Sequence, residues 1–317
     1  MRRISSLAFA SFALAAVLWL GSAARAELGR LPPFIGTVVD QDALLEVIST
    51  ARSRSFKPVG HTSVVLRMRT VARVTAAMKV RSRDVPRGYQ HEIAAYRIAR
   101  LLGLDNVPPA IFRRVSWKEI RQRFHEDKLD RRASVRRAVV WDDDGSAPGA
   151  AIYWVKGMRS VSHEDASTWA GWLKNEPVPE GKEALARDLS TMAVFDLLIG
   201  NWDRFSGGNL QTDKERQRAI LRDNDRAFST PLLARRRDAL LDRLMRTKRF
   251  PRSVVERLAE LDEAALREEL GLDPSDASVP LLSDTQIADV LDRRATILSY
   301  VAALIQERGE GEVLVFP

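Results

Sequence analysis

Apolar positions along this chain recur at intervals of two over much of its first half and at three and four over most of its second. Residues 40–50 open with a short helical pattern carried by Leu44, Leu45, Val47 and Ile48. The next segments are β-rich. Residues 63–68 read as a strand, and 70–80, with Val71, Val74, Met78 and Val80, as two strands around a turn. A loop of small residues, 59–62, precedes them. Helical spacing returns at 89–102, where Ala94, Ile98, Leu101 and Leu102 share one stripe. Gly103, with Pro108 and Pro109 beyond it, stops that helix. Residues 117–132 form a charged helix or insert, and 138–141 and 151–155 are strands joined by a hairpin-type connection over 142–149. Residues 158–179 are less regular. From 183 onward helices dominate: 183–199, striped by Leu185, Leu189, Met192, Phe195, Leu198 and Ile199, then 235–247, 252–270 and 284–307. Between the first two lie short strands at 210–212 and 219–221, with a turn at 213–216.

This order predicts an α+β protein of two lobes. A small β-rich lobe with one helix occupies 59–157, a larger and mostly helical lobe 158–317, and residues 27–58 form a leader. Residues 1–26 are set apart. Arg2 and Arg3, an apolar run from Leu7 to Leu20, and Ala24-Arg25-Ala26 make a signal-peptide pattern. That run is short for a membrane span and no later one reaches about 18 residues, so no stable span is expected after cleavage. Cleavage after Ala26 removes three arginines and takes the formal charge from +8 to +5. The remaining excess is scattered except at Arg235-Arg236-Arg237, either a solvated helix face or a surface for anions. No basic stripe is interleaved with aromatics, so no nucleic-acid partner is expected. The chain has no cysteine, which excludes thiol nucleophiles, cysteine–zinc sites and disulfides. Its four histidines never pair at i, i+4, and no Gly-x-Ser-x-Gly elbow occurs.

The remaining chemistry sits in two loops and one strand. Asn201-Trp202-Asp203-Arg204-Phe205-Ser206-Gly207-Gly208-Asn209 follows directly on helix 183–199. Asp203 is a candidate general base for phosphoryl transfer, a reaction that asks chiefly for a positioned hydroxyl, metal and a cation on the phosphates. Otherwise Asp203 pairs with Arg204 or caps a helix. Asn209, six residues on, offers an amide oxygen to metal, at a spacing one longer than in kinase loops. The hairpin 210–221 would return Asp223 to Asn209, making Asp223 a candidate metal ligand; Asp225 is a second ligand or, as favoured, a turn residue. Lys79 lies on an apolar strand and needs a partner. Glu92 on the next helix would supply one; otherwise Lys79 faces water at a strand edge. Gly60 suggests a phosphate loop only weakly, because no Gly-x-Gly-x-x-Gly exists.

Three segments resemble a known family. They are residues 91–103 (HEIAAYRIARLLG) with Val107-Pro108-Pro109 after them, residues 195–204 (FDLLIGNWDR), and Leu221-Arg222-Asp223-Asn224-Asp225. They are similar to the four-jointed and Fam20-like secretory-pathway kinases, over about residues 60–304. The resemblance implies a two-lobed, atypical protein-kinase-like fold. It implies ATP with Mg²⁺ or Mn²⁺, and phosphoryl transfer to a hydroxyl of a protein or glycan. It makes Asp203 the catalytic base and Asp223 a metal ligand, places Lys79 on phosphates, and lets Glu92 pair with Lys79 or touch metal. A hinge at 153–157 would bring Tyr153 and Val155 against adenine. Asp225 stands where some relatives carry glycine. Leader and composition look bacterial, so an exported member, periplasmic or secreted, is expected. Two other readings stay open: a non-catalytic pseudokinase or nucleotide-binding scaffold, and a structural envelope protein with Lys79 apart from Glu92 and far from Asp223.

Overall fold

A computed structural model of the chain describes residues 32–60, 64–205 and 208–317. The signal-peptide expectation, and part of the 59–62 loop, lie outside these residues. The first lobe is built on a five-stranded antiparallel sheet ordered β1-β2-β3-β5-β4. Its strands are β1 (Ser53–Val59), β2 (Val65–Thr70), β3 (Thr75–Val80), β4 (Ala110–Ser116) and β5 (Ser146–Tyr153). β1 is an edge strand supplied by residues expected to form a leader, after helix α1 (Gln41–Thr50). The turn foreseen within 70–80 falls at 71–74, where Arg73 takes a positive φ of 63°.

Strand alternation decides which way Lys79 points. On β3, Ala76, Met78 and Val80 turn into a core with Phe56, Leu66, Met68 and Val115. Ala77 and Lys79 therefore face the opposite side. There helix α2 (Gly88–Leu101) packs across the sheet, burying Ile93, Ala94, Tyr96 and Ile98.

The β4–β5 hairpin corrects the expected pair of strands. Residues 138–141 are no strand: Ala138 ends a helix and Val139 makes only an isolated bridge to Ser82. β5 pairs instead with β4 over seven residues, from Ala110↔Ile152 to Ser116↔Ser146. β4 escaped notice because Arg113 and Arg114 break its apolar alternation. Arg113 is nonetheless buried, donating to the Ile48 and Ala51 carbonyls at 2.9 Å each and to Ser53 Oγ at 3.1 Å. Pro148-Gly149, expected in the connection, lies inside β5. The β3 pairing ends at Gly149, so Pro148 lies beyond that ladder, where a missing N–H is tolerated. A Cβ on Gly149 would come within 2.6 Å of the Lys79 carbonyl oxygen, so only glycine lets β5 approach β3 this closely.

The charged stretch 117–132 divides into α3 (Trp117–Gln122), a 3₁₀ turn (Glu126–Arg131) and the start of α4 (Arg132–Ala138). Residues 158–179, expected to be irregular, hold α5 (His163–Trp172), started by a Ser162–Asp165 capping box.

The second lobe surrounds α6 (Glu183–Ile199), whose last twelve residues are all buried. Of the helices that follow, α7 (Ala234–Arg246), α8 (Arg252–Glu260), α9 (Glu263–Leu270) and α10 (Asp284–Arg308), α7 and α10 pack against it, and α8 and α9 pack against α10. The single helix expected over 252–270 is two, because Leu261 leaves the helical region and Asp262 caps α9 through the Ala265 N–H at 2.7 Å. One apolar cluster runs from α2 through Ile152 into α6 and α10, so the lobes share a core. A small sheet of β6 (Arg159–Ser160), β7 (Gln211–Thr212) and β8 (Ala219–Ile220) carries the expected hairpin.

Candidate active site

The end of α6 shapes the first loop. Gly200 takes φ 67°, the Gly200 N–H donates to Leu197 O at 3.1 Å and the Asn201 N–H to Asp196 O at 2.8 Å. This is a Schellman ending, which needs a residue without a Cβ at the left-handed position. The chain then turns into Asn201-Trp202-Asp203. Buried Asn201 ties this loop to the second one: its Nδ2 donates to Asp223 O at 3.2 Å and to Asn224 Oδ1 at 2.9 Å, while its Oδ1 accepts from the Asp203 N–H at 3.2 Å.

Arg204 does not pair with Asp203. Both Arg204 and Asp196 are fully buried and face each other, with Arg204 Nη2 2.9 Å and Nε 3.1 Å from Asp196 Oδ1. Arg204 also donates to Asn224 Oδ1 at 2.8 Å and to the Arg222 carbonyl. Asp203 is thus left to the cavity. Its Oδ2 accepts from Asn209 Nδ2 at 3.3 Å and lies 3.9 Å from Arg226 Nε.

The second loop carries a left-handed Asp223, φ 64°, stabilised by the bonds above. Lys79 reaches into it from β3. Its Nζ is 2.6 Å from Glu92 Oε1, 2.5 Å from Asp223 Oδ1 and 3.0 Å from Asp225 Oδ2. Lys79 is therefore neither water-facing nor distant from Asp223, and the structural-protein reading that required this falls. Glu92 Oε1 also accepts the Asn224 N–H at 3.0 Å. Burial works against charge on Lys79, but Glu92, Asp223 and Asp225 outweigh it and raise its pKa. Burial likewise opposes charge on Asp223, yet Lys79, helped by Arg222 and Arg204, holds its carboxyl at about 2. Glu92 is pushed up by burial against the pull of Lys79.

Glu92, Asp223 and Asp225 each present an oxygen within 4.8 Å of the others. Three carboxylates meet one ammonium, with Arg222 Nη2 3.6 Å from Asp223 Oδ2, and this all-oxygen donor set suits a hard divalent cation. Asp225, favoured as a turn residue in the sequence, thus belongs with the candidate ligands. The i, i+2 repeat of Asp around Asn224 was the available signal. Asn201, Asp196 and Arg204 carried no such signal, because their work is to hold the loops rather than to face the cavity.

All seven residues singled out in the sequence line one cavity of about 860 Å³: Lys79, Glu92, Tyr153, Val155, Asp203, Asn209 and Asp223. Its apolar wall is the end of β5 and the chain after it. Tyr153 packs edge-on against Phe34 at 5.6 Å, and Val155 and Met158 join Phe34, Ile35 and Ile220 behind the cavity. The leader thus braces the segment between the lobes.

Known proteins are similar to this chain in sequence or in fold. No family model matches the chain. A human protein, glycosaminoglycan xylosylkinase, is 32% identical over 146 residues. That match covers 45% of this chain and 34% of the relative, so the chain matches about a third of that protein's length. The crystal structure of the Golgi casein kinase with Mn/ADP bound superimposes with a TM-score of 0.64 at 17% identity, over 86% of this chain and 78% of that one. The fold is Fam20-like. The structure of hydra Fam20 with sugar agrees, with a TM-score of 0.60 at 17% identity over 88% of this chain and 93% of that one. The Fam20-like fold accounts for the two-lobed α+β layout read from the sequence.

Proposed function

We propose that this Fam20-like chain is a phosphotransferase that moves the γ-phosphoryl group of ATP to a hydroxyl of a protein or glycan. The observation that carries this is the convergence of Lys79, Glu92, Asp203 and Asp223, from four separate elements, on one cavity. The relatives support it: one is named a xylosylkinase, and another was solved with Mn/ADP.

Each residue then has a physical task. The apolar wall at Tyr153 and Val155 takes the adenine. Lys79, held in line by Glu92, meets the phosphates. A divalent Mg²⁺ or Mn²⁺, when bound, would offset phosphate charge. Asp223, Asp225 and Glu92 are the carboxylates to hold it, and Asn209 can add its Oδ1 because its Nδ2 is spent on Asp203. Asp203 accepts the proton of the acceptor hydroxyl as its oxygen attacks the γ-phosphorus and the bond to the β–γ bridging oxygen breaks, releasing ADP.

The test is transfer of labelled γ-phosphate from ATP, with Mn²⁺ or Mg²⁺, to envelope extract, alongside thermal unfolding with the nucleotide. Transfer supports the proposal. Nucleotide stabilisation without transfer to any acceptor makes the chain a nucleotide-binding scaffold instead. Neither effect overturns both. We further propose that the chain is exported. The pattern in residues 1–26 supports this, and among the described residues no helix is long and apolar enough to cross a membrane. A mature N-terminus at Glu27, found by mass spectrometry, is the expected result; an intact Met1 in the cytoplasmic fraction is the contrary one.

The metal cluster yields a prediction of its own. Lys79→Met removes the cation bonded to all three carboxylates, and their mutual repulsion should lower stability. Mn²⁺ then takes over the missing positive charge. At about 100 times its Kd, Mn²⁺ should restore about 2.7 kcal/mol to the variant. The wild type, whose Lys79 competes for the same oxygens, should gain less. Equal Mn²⁺ shifts in denaturant unfolding of both proteins would count against this cluster as the metal site.

A further inference from the structure

Among the described residues three basic side chains line the cavity, and they are not equivalent. Lys79 is taken up by three carboxylates. Arg222 reaches Gln211 Oε1 at 3.3 Å and Asp223 Oδ2 at 3.6 Å. The Arg226 guanidinium makes no hydrogen bond among the described residues; its one carboxylate neighbour is Asp203, with Nε at 3.9 Å from Oδ2. That is too long for a hydrogen bond. The side chain is still not loose. It lies beside the Trp202 ring, 5.9 Å from its centroid, and Trp202 is covered by Arg236 at 3.4 Å. A cation held in place with its donors unspent is arranged for an anion that arrives with a ligand.

Its position says which anion. Left-handed Asp223 bends the second loop so that three residues carry the chain from the metal cluster to the base. A hydroxyl oxygen accepted by Asp203 sits about 2.6–3.2 Å from that carboxylate. The phosphorus it attacks lies about 3–3.5 Å further on. A guanidinium at the edge of Asp203, in the cavity that also holds the carboxylate cluster, would flank that phosphorus. There charge spreads over equatorial oxygens that a planar fork of N–H donors can meet in pairs.

We propose that Arg226 is a further catalytic residue whose guanidinium contacts the transferring phosphoryl group. This rests on the phosphotransferase reading. Arg226 exchanges no proton: the hydroxyl proton goes to Asp203, the new oxygen–phosphorus bond forms, and ADP leaves.

The test separates this role from the reading beneath it. Binding of ADP with Mn²⁺ is measured by calorimetry, with and without aluminium fluoride as a planar mimic of the transferring group. In the wild type the fluoride should tighten ADP binding by about 10²-fold, the lower end for transition-state analogues. Arg226→Ala should bind ADP alone as before but lose most of the fluoride gain. It should also lower kcat by ~10²–10³-fold with KM for ATP little changed. Added guanidinium should restore part of that rate, and Arg226→Lys should not. Loss of ADP binding together with the fluoride gain would make Arg226 structural. An undiminished fluoride gain in Arg226→Ala would overturn the proposal while leaving the phosphotransferase reading standing. A wild type that binds no ADP would overturn both.

Discussion

Asp203→Ala is expected to lower phosphoryl transfer by ~10²–10⁴-fold, the range for losing a positioned general base, while leaving nucleotide affinity nearly unchanged. The split follows from where the side chain sits. Asp203 is outside the Lys79–Glu92–Asp223–Asp225 cluster, so removing it takes nothing from the groups that meet phosphates. It is also not part of the buried framework. Its backbone N–H is fixed by Asn201 and Arg204 is engaged with Asp196, so the loop keeps its course without the carboxylate. Among the described residues, only the contacts to Asn209 Nδ2 and Arg226 are lost. Steady-state rates together with ATP-induced thermal shifts decide this. A variant that keeps the wild-type rate would remove Asp203 from the mechanism, and one that also loses the ATP shift would make it a binding residue.

What could be read from the sequence follows from what each residue is required to show. Lys79 stood out because a lysine among Ala76, Ala77, Met78 and Val80 has no water to reach, and the answer to that strain was a glutamate on the next helix. Asp203 and Asp223 stood out because polar loops rich in Asn and Asp, one directly after a long apolar helix and one after the hairpin that follows it, are poor packing material. β4 was hidden because Arg113 spends its charge on backbone carbonyls inside the fold, where no periodicity marks it. The break between α8 and α9 was hidden by a continuous apolar stripe across a cap, with Asp262 as the only sign. Asp225 does lie in the turn the sequence favoured, closed by the Ala227 N–H on the Asn224 carbonyl, and only tertiary contact with Lys79 shows that its carboxylate also turns inward.

The Asp196–Arg204 pair carries the second large effect, and it distinguishes fold from function. Asp196→Ala strands a guanidinium with no exposure, and should cost about 3–5 kcal/mol in denaturant unfolding, as for other buried pairs broken on one side. Asp196→Leu with Arg204→Met removes both charges and fills similar volume, so most of that loss should be recovered. Function should not return with it. Arg204 also donates to Asn224 Oδ1 and the Arg222 carbonyl, and these contacts flank Asp223 in its strained, left-handed turn. Without them, among the described residues, the hydrogen bonds between the two loops are those of Asn201. The double variant should therefore unfold like the wild type yet show a weakened Mn²⁺-dependent ATP shift and slow transfer. Wild-type transfer in the double variant would show that Asn201 suffices to set the site. Equal instability of single and double variants would show that the pair, rather than an uncompensated charge, supports the fold.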